Sequence, residues 1–199
     1  MMKPINIAVI GSTKGTDMQA IIEAGIPIKV VVSNKEKAGI LEKAEKAGIP
    51  FMYISQKGKT REEFDEEVMK GLDENKIDLV LLIGYMRFLS KPFVDKYKNK
   101  IMNVHPSLLP KFAGGMDKNV HQEILDAGET ETGATIHFVD EGADTGPIVF
   151  QEKVPIVQGE TVESLKEKVQ KLEGEMFIKA IDLFSEGKIE VKDNKVVIK

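Results

Sequence analysis

The sequence predicts an α/β protein built on an open, mostly parallel sheet, with an antiparallel extension and a long C-terminal helix. Three observations carry this reading. Apolar runs alternate with segments of helical periodicity through the first half, the pattern changes after Val104 to two alternating strand-like runs, and a long amphipathic stretch follows Thr161. Alternation of the first kind is the signature of parallel strands joined by crossover helices.

Taken in order, the apolar runs Ile5–Ile10, Ile28–Val32, Phe51–Ile54, Leu79–Ile83 and Ile101–Val104 are read as strands. Between them Thr16–Ala24, Lys35–Ala47 and Arg61–Glu74 carry helical periodicity. Gly48 and Pro50 close the second helix and Thr60 supplies an N-cap for the third. Thr135–Val139 and Ile148–Val154 alternate as half-buried strands do, separated by the turn residues Gly142 to Pro147, which predicts an antiparallel addition to the sheet. From a cap at Thr161 to about Phe184, Val162, Leu165, Val169, Leu172, Met176, Ile178, Ile181 and Leu183 supply much of an apolar stripe that is expected to pack across the sheet. No repeat or linker interrupts the chain, so residues 1–199 are expected to form a single domain.

Composition narrows the function. The 199 residues suffice for one substantial core, and 30% charged residues with 42% hydrophobic ones is a globular profile. A net charge of -4 lacks the cationic excess that non-specific nucleic-acid binding needs. The first apolar run is too short to span a membrane and lacks the features of an export signal, so no membrane partner is expected. With no cysteine there is neither a disulfide framework nor a thiolate zinc site, which fits a cytoplasmic protein. No metal is expected.

In open α/β sheets ligands bind beyond the carboxyl ends of the strands, so three loops bear the chemistry. Gly11 to Asp17 follows the first strand and opens a helix whose free N–H groups favour an anion. It meets neither the dinucleotide fingerprint nor the Walker pattern, and an ordinary strand-to-helix turn fits it equally. Asn103-Val104-His105 ends the fifth strand, where side-chain alternation puts Asn103 and His105 on one face. An amide donor beside a titratable imidazole suits acyl transfer to an amine, since both stabilise an oxyanion and no serine nucleophile is required. The pair alone is also compatible with a strand end that merely satisfies its loop, whereas the rigid Pro-Ser-Leu-Leu-Pro continuation to Pro110 favours a fixed site. Asp140 to Pro147 is either an acidic solvated turn or a source of carboxylates that orient a histidine.

Together these segments resemble the folate-dependent phosphoribosylglycinamide formyltransferases from about Ile5 to Phe184. The most specific piece is Asn103 to Pro110; Asp78 to Ser90, Thr135 to Asp140, Asp144 to Pro147 and Val169 to Glu173 follow the family's order. The resemblance implies the Rossmann-like formyltransferase fold, 10-formyltetrahydrofolate as co-substrate and glycinamide ribonucleotide as acceptor, in a monomer or homodimer. It further implies a catalytic set of Asn103, His105 and Asp144. The acceptor's phosphate would lie on Gly15, Thr16 and Asp17 with Gln170 nearby, and Glu173 would accept the ribose hydroxyls. Folate would lie against Met86, Arg87, Phe88 and Leu89 and the turn Asp140, Glu141, Gly142 and Ala143, with Arg61 meeting its glutamate carboxylate. Arg61 and Arg87 are the only arginines, and an arginine fork suits a carboxylate, although two surface salt bridges would look the same. His137 aligns near this centre, with a packed structural role an equal reading.

Two departures from the family pattern stand out. Residues 113–121 read as a loop about three residues longer than usual and short of one histidine, with His121 keeping its place before the next helix. Lys14 and Asp17 stand where many relatives carry asparagine. The same core motif recurs in formyltransferases acting on sugar nucleotides or on methionyl-tRNA and in a deformylase. The chain is expected to be too short and too acidic for the tRNA enzyme, and to lack the regulatory domain usual in a deformylase. An amino-sugar nucleotide is thus the alternative acceptor, and a non-catalytic folate- or phosphate-binding module the alternative class.

Overall fold

The computed structural model describes residues 4–114 and 120–199. Its main sheet has seven strands in the order β3-β2-β1-β4-β5-β6-β7. The first five in sequence are parallel: β1 (Ile7–Ile10), β2 (Val30–Ser33), β3 (Phe51–Tyr53), β4 (Leu79–Leu82) and β5 (Ile101–His105). They are connected through α1 (Thr16–Glu23), α2 (Gly39–Lys46), α3 (Arg61–Glu74) and α4 (Lys91–Lys96). After α5 (Val120–Asp126), the strands β6 (Glu131–Phe138) and β7 (Ile148–Pro155) extend the sheet in antiparallel fashion. The expected α/β class, the antiparallel extension and the long helix α6 (Val162–Ser185) are all present. Among the described residues no helix is long and apolar enough to cross a membrane.

Strand alternation builds two cores. Ile7 and Val9 of β1 join the cluster beneath α1, α2 and α6, whereas Ala8 and Ile10 join the one beneath α3 and α4. A sheet covered on both faces needs apolar residues at every position, hence the unbroken runs in the sequence. The strand order reverses between β1 and β4, which opens a crevice at their carboxyl ends.

Several boundaries differ from the sequence reading, each for a local reason. Ile5 stands before the ladder, and Asn6 instead exchanges hydrogen bonds with Asp78, its backbone N–H donating to Oδ2 at 2.8 Å. Helix α2 starts at Gly39 because Lys35 to Ala38 close a turn, with Ala38 extended at φ -72 and ψ 133. Strand β6 starts four residues before Thr135, as Glu131 to Ala134 pair with β7. The short helix α4 lies outside the predicted elements, as does the hairpin of β8 (Ile189–Lys192) and β9 (Lys195–Ile198). Its sequence signal is the alternation on either side of Asp193-Asn194, both at positive φ (48 and 60) as a two-residue hairpin turn requires. Thr60 caps α3 as expected, in a reciprocal capping box with Glu63.

Candidate active site

The site is assembled at the carboxyl end of β5. Asn103 pairs with His137 across β6, and His105 pairs with Thr135. Asn103 and His105 share a face, as alternation requires, and both line one cavity of about 550 Å³ at the sheet's crevice. That size is within the range of small-molecule sites. Asp144 arrives from the turn between β6 and β7 with its backbone at φ 55, a left-handed conformation that aspartate tolerates better than most residues.

His105 is 5% exposed and both its ring nitrogens meet oxygen. Nδ1 lies 3.1 Å from Asp144 Oδ2, and Nε2 lies 2.8 Å from the carbonyl of Phe112. A carbonyl accepts only, so Nε2 carries a proton, and an ionised Asp144 calls for a second on Nδ1. The geometry therefore suits the imidazolium. Burial alone would raise the Asp144 pKa, but hydrogen bonds from His105, from His137 and from the backbone N–H of Gly114 outweigh it and hold the carboxyl well below the usual range. His137 gives Nδ1–H to the carbonyl of Phe138 at 2.9 Å. Its Nε2 stands 3.1 Å from Asn103 Nδ2 and 3.5 Å from Asp144 Oδ1, accepting from the first when neutral and donating to the second when protonated.

What fixes the strand end is more than two prolines. The Thr135 hydroxyl donates to the carbonyl of Ser107 at 2.7 Å and accepts from the backbone N–H of Leu109 at 3.1 Å. Gln151 donates both to that hydroxyl at 2.8 Å and to the carbonyl of Leu109 at 3.0 Å. Sequence reasoning missed Thr135 and Gln151. A buried threonine opposite a histidine gives no local signal, because its partners come from a segment far along the chain.

On the acceptor side, Thr16, Asp17, Gln170 and Glu173 line the large cavity together with Asn103 and His105. Gly15 caps α1 at φ 64 and is packed so closely on Ile40 that a Cβ there would overlap it. Gly174 lies against Ala20, where an added Cβ would be 2.7 Å from the Ala20 methyl. That close helix contact brings Glu173 beside Asp17, and both carboxylates are buried. Burial raises Asp17 to about 7, with Lys43 opposing it. Burial and the neighbouring Asp17 also raise Glu173 well above the usual range, against the pull of Lys166. Glu173 stands in the apolar stripe of Leu165, Val169 and Phe177, so a carboxylate at a core position was its sequence signal.

On the other side of Asn103 lies a slot of about 80 Å³. Arg87, Phe88 and Leu89, the turn Asp140 to Ala143, and Asp144 line it. Asn103 and Asp144 thus border both cavities. Met86 faces the large cavity rather than the slot. The Arg87 guanidinium sits 4.5 Å above the Phe64 ring and donates to Gln56 Oε1. Arg61, exposed on the first turn of α3 and beside Glu62, lies outside the lining of both cavities. His121 lines the large cavity with Nδ1 buried and unpartnered, and burial together with Lys166 lowers its basicity. Residues 115–119 of the lengthened loop lie outside the described residues.

A seven-stranded α/β sheet with an amide, two imidazoles and a carboxylate at the tip of its fifth strand is the architecture of a formyl-group transferase. The formyl transferase family model matches residues 5–181. Phosphoribosylglycinamide formyltransferase of Haemophilus influenzae is 38% identical over 195 residues, covering 94% of this chain and 91% of that protein. Glycinamide ribonucleotide transformylase 1 from Symbiobacterium toebii superposes with a TM-score of 0.92 at 35% identity, covering 98% of this chain and 93% of that one. The trifunctional purine biosynthetic protein adenosine-3 of Bos taurus is 43% identical over 199 residues, and this chain spans 19% of its length. The chain belongs to the phosphoribosylglycinamide formyltransferase family.

Proposed function

We propose that residues 1–199 act as one formyltransferase domain that moves a formyl group from 10-formyltetrahydrofolate to the amine of glycinamide ribonucleotide, a step of purine biosynthesis. The observation that carries this reading is that Asn103 and Asp144 border both cavities, so groups bound in the two meet at the His105 cluster. The large cavity takes the ribonucleotide, with Gly15 to Asp17 and Gln170 on its phosphate and Glu173 on its ribose. The slot takes the folate ring, which enters when the Asp140–Ala143 turn or Phe88 moves aside, because the resting slot is smaller than a bicyclic ring needs.

In this mechanism the acceptor amine attacks the formyl carbon, and the carbonyl oxygen becomes an oxyanion held by the Asn103 amide and protonated His105. His105 Nε2 turns to that oxygen by releasing the carbonyl of Phe112. Asp144 orients the imidazolium and takes part in passing the amine's proton towards the departing folate nitrogen, after which the carbon–nitrogen bond to folate breaks. Direct attack by an amine fits a site whose polar groups are donors and proton carriers rather than nucleophiles.

The test is a purified-enzyme assay with 10-formyltetrahydrofolate and a panel of amines including glycinamide ribonucleotide and an amino-sugar nucleotide. Formylation of the ribonucleotide is expected; formylation of the sugar nucleotide alone would overturn the acceptor. A chain that binds folate and turns over no amine would be a binding module.

A further inference from the structure

The acceptor cavity is rich in carboxyl side chains and poor in cations for a phosphate seat. Asp17, Asp144, Glu163 and Glu173 all line it, and Lys166 is the one lysine or arginine among the described residues that does so. Asp17 Oδ1 is buried without a hydrogen-bond partner, and Asp17 belongs to the N-terminal turn of α1 where the phosphate is to sit. An asparagine at this position would donate to phosphate oxygens; an aspartate repels them unless protonated or offset by a nearby cation.

Lys166 is placed to supply that cation. Residues 166, 170 and 173 follow each other at helical spacings of four and three, so Lys166, Gln170 and Glu173 form one face of α6 turned to the cavity. Among the described residues Lys166 enters no ion pair, whereas on the same helix Lys168 pairs with Glu160 and Lys179 with Glu152. Its charge acts on both Glu173 and His121, which line the same cavity. Lys43, the other cation near Asp17, donates to the carbonyl of Gly15 at 3.1 Å and is not among the residues that line the cavity.

Resting on the acceptor proposed above, we infer that Lys166 is a specificity-determining residue that selects a phosphorylated acceptor, by meeting its phosphate and offsetting the ionised form of Asp17. The inference extends the phosphate seat beyond the residues that the family resemblance supplies, and it ties Lys166 to the aspartate that departs from the family pattern.

The experiment compares wild type, K166Q, K166R and the K166Q/D17N double variant on glycinamide ribonucleotide and on its phosphate-free ribonucleoside. Loss of one charge-assisted contact raises KM for the ribonucleotide by ~10- to 100-fold in K166Q, and the loss falls on KM rather than kcat. With the phosphate-free acceptor the penalty shrinks at least ~10-fold, K166R keeps most of the wild-type KM, and D17N recovers part of the K166Q loss. An active wild type whose K166Q variant has an unchanged KM overturns this inference alone. So does an equal K166Q penalty on both acceptors. A wild type that turns over neither acceptor, or prefers the phosphate-free one, overturns the acceptor reading and this inference with it. Thermal melts of each variant exclude misfolding as the cause, since Lys166 is exposed on its helix.

Discussion

Asp144 Oδ2 lies 3.1 Å from Nδ1 of His105, bringing a turn carboxylate to a strand-end imidazole. The same oxygen accepts the Gly114 backbone N–H at 3.0 Å, while the carbonyl of Phe112 takes the other side of the imidazole. The Phe112–Gly114 segment therefore holds both halves of the pair, and in the proposed mechanism the carbonyl of Phe112 is released from His105.

Replacing Asp144 with asparagine keeps the shape and removes the charge that orients protonated His105. A fall in kcat of ~10²- to 10⁴-fold is expected, with little change in KM for either substrate, read by steady-state kinetics. The pair also links stability to pH. Because the folded carboxyl titrates below its unfolded value of 3.8, its contribution is full above that value and is lost as the pH falls towards the folded one. The melting temperature of wild type should thus exceed that of D144N at neutral pH, with the gap closing under acid.

The buried pair Asp17 and Glu173 has the opposite sign. Both titrate higher folded than unfolded, Asp17 at about 7, so the native state holds protons that the unfolded chain has released. Stability then falls as pH rises from the ordinary carboxylate range through about 7. Thermal melts from pH 5 to pH 8 should show this decline in wild type and a shallower one in D17N. A wild-type melting temperature that rises over that range would contradict the assignment.

Arg87 and Arg61 should separate cleanly. R87A removes a guanidinium packed on Phe64 and bonded to Gln56 in the wall of the slot, so KM for the folate should rise ~10-fold or more. R61A removes an exposed charge that, as a proposed contact to the cofactor's glutamate, is screened by solvent. Its effect should stay within ~3-fold and vanish at high salt.

Gly146 tests the turn that delivers Asp144. A Cβ at this position would overlap the Phe138 carbonyl oxygen, so alanine must push the turn off β6. G146A should lower kcat by ~10²-fold or more while costing about 1–3 kcal/mol of stability, measured by denaturant unfolding. An active G146A enzyme would mean that Asp144 does not need its present position.

The sequence by itself determined the features that depend on backbone period and local chemistry. Unbroken apolar runs announced doubly covered strands, the stripe from Leu165 to Ile181 announced α6, and Thr60 announced the start of α3. The two-residue period of a strand was enough to place Asn103 and His105 on one face. The family resemblance named Asp144 and Glu173, but no local pattern states which distant groups they meet. Only the tertiary structure decided that Asp144 bridges towards His105 and His137, that Thr135 and Gln151 pin the strand end, that Glu173 shares its burial with Asp17, and that Arg87 faces a cavity while Arg61 faces solvent. The reason is physical: periodicity is set residue by residue along the backbone, whereas these meetings depend on how closely helices and turns pack. A missing Cβ at Gly174 or Gly146 sets that distance, and nothing next to either glycine in the sequence records what it touches.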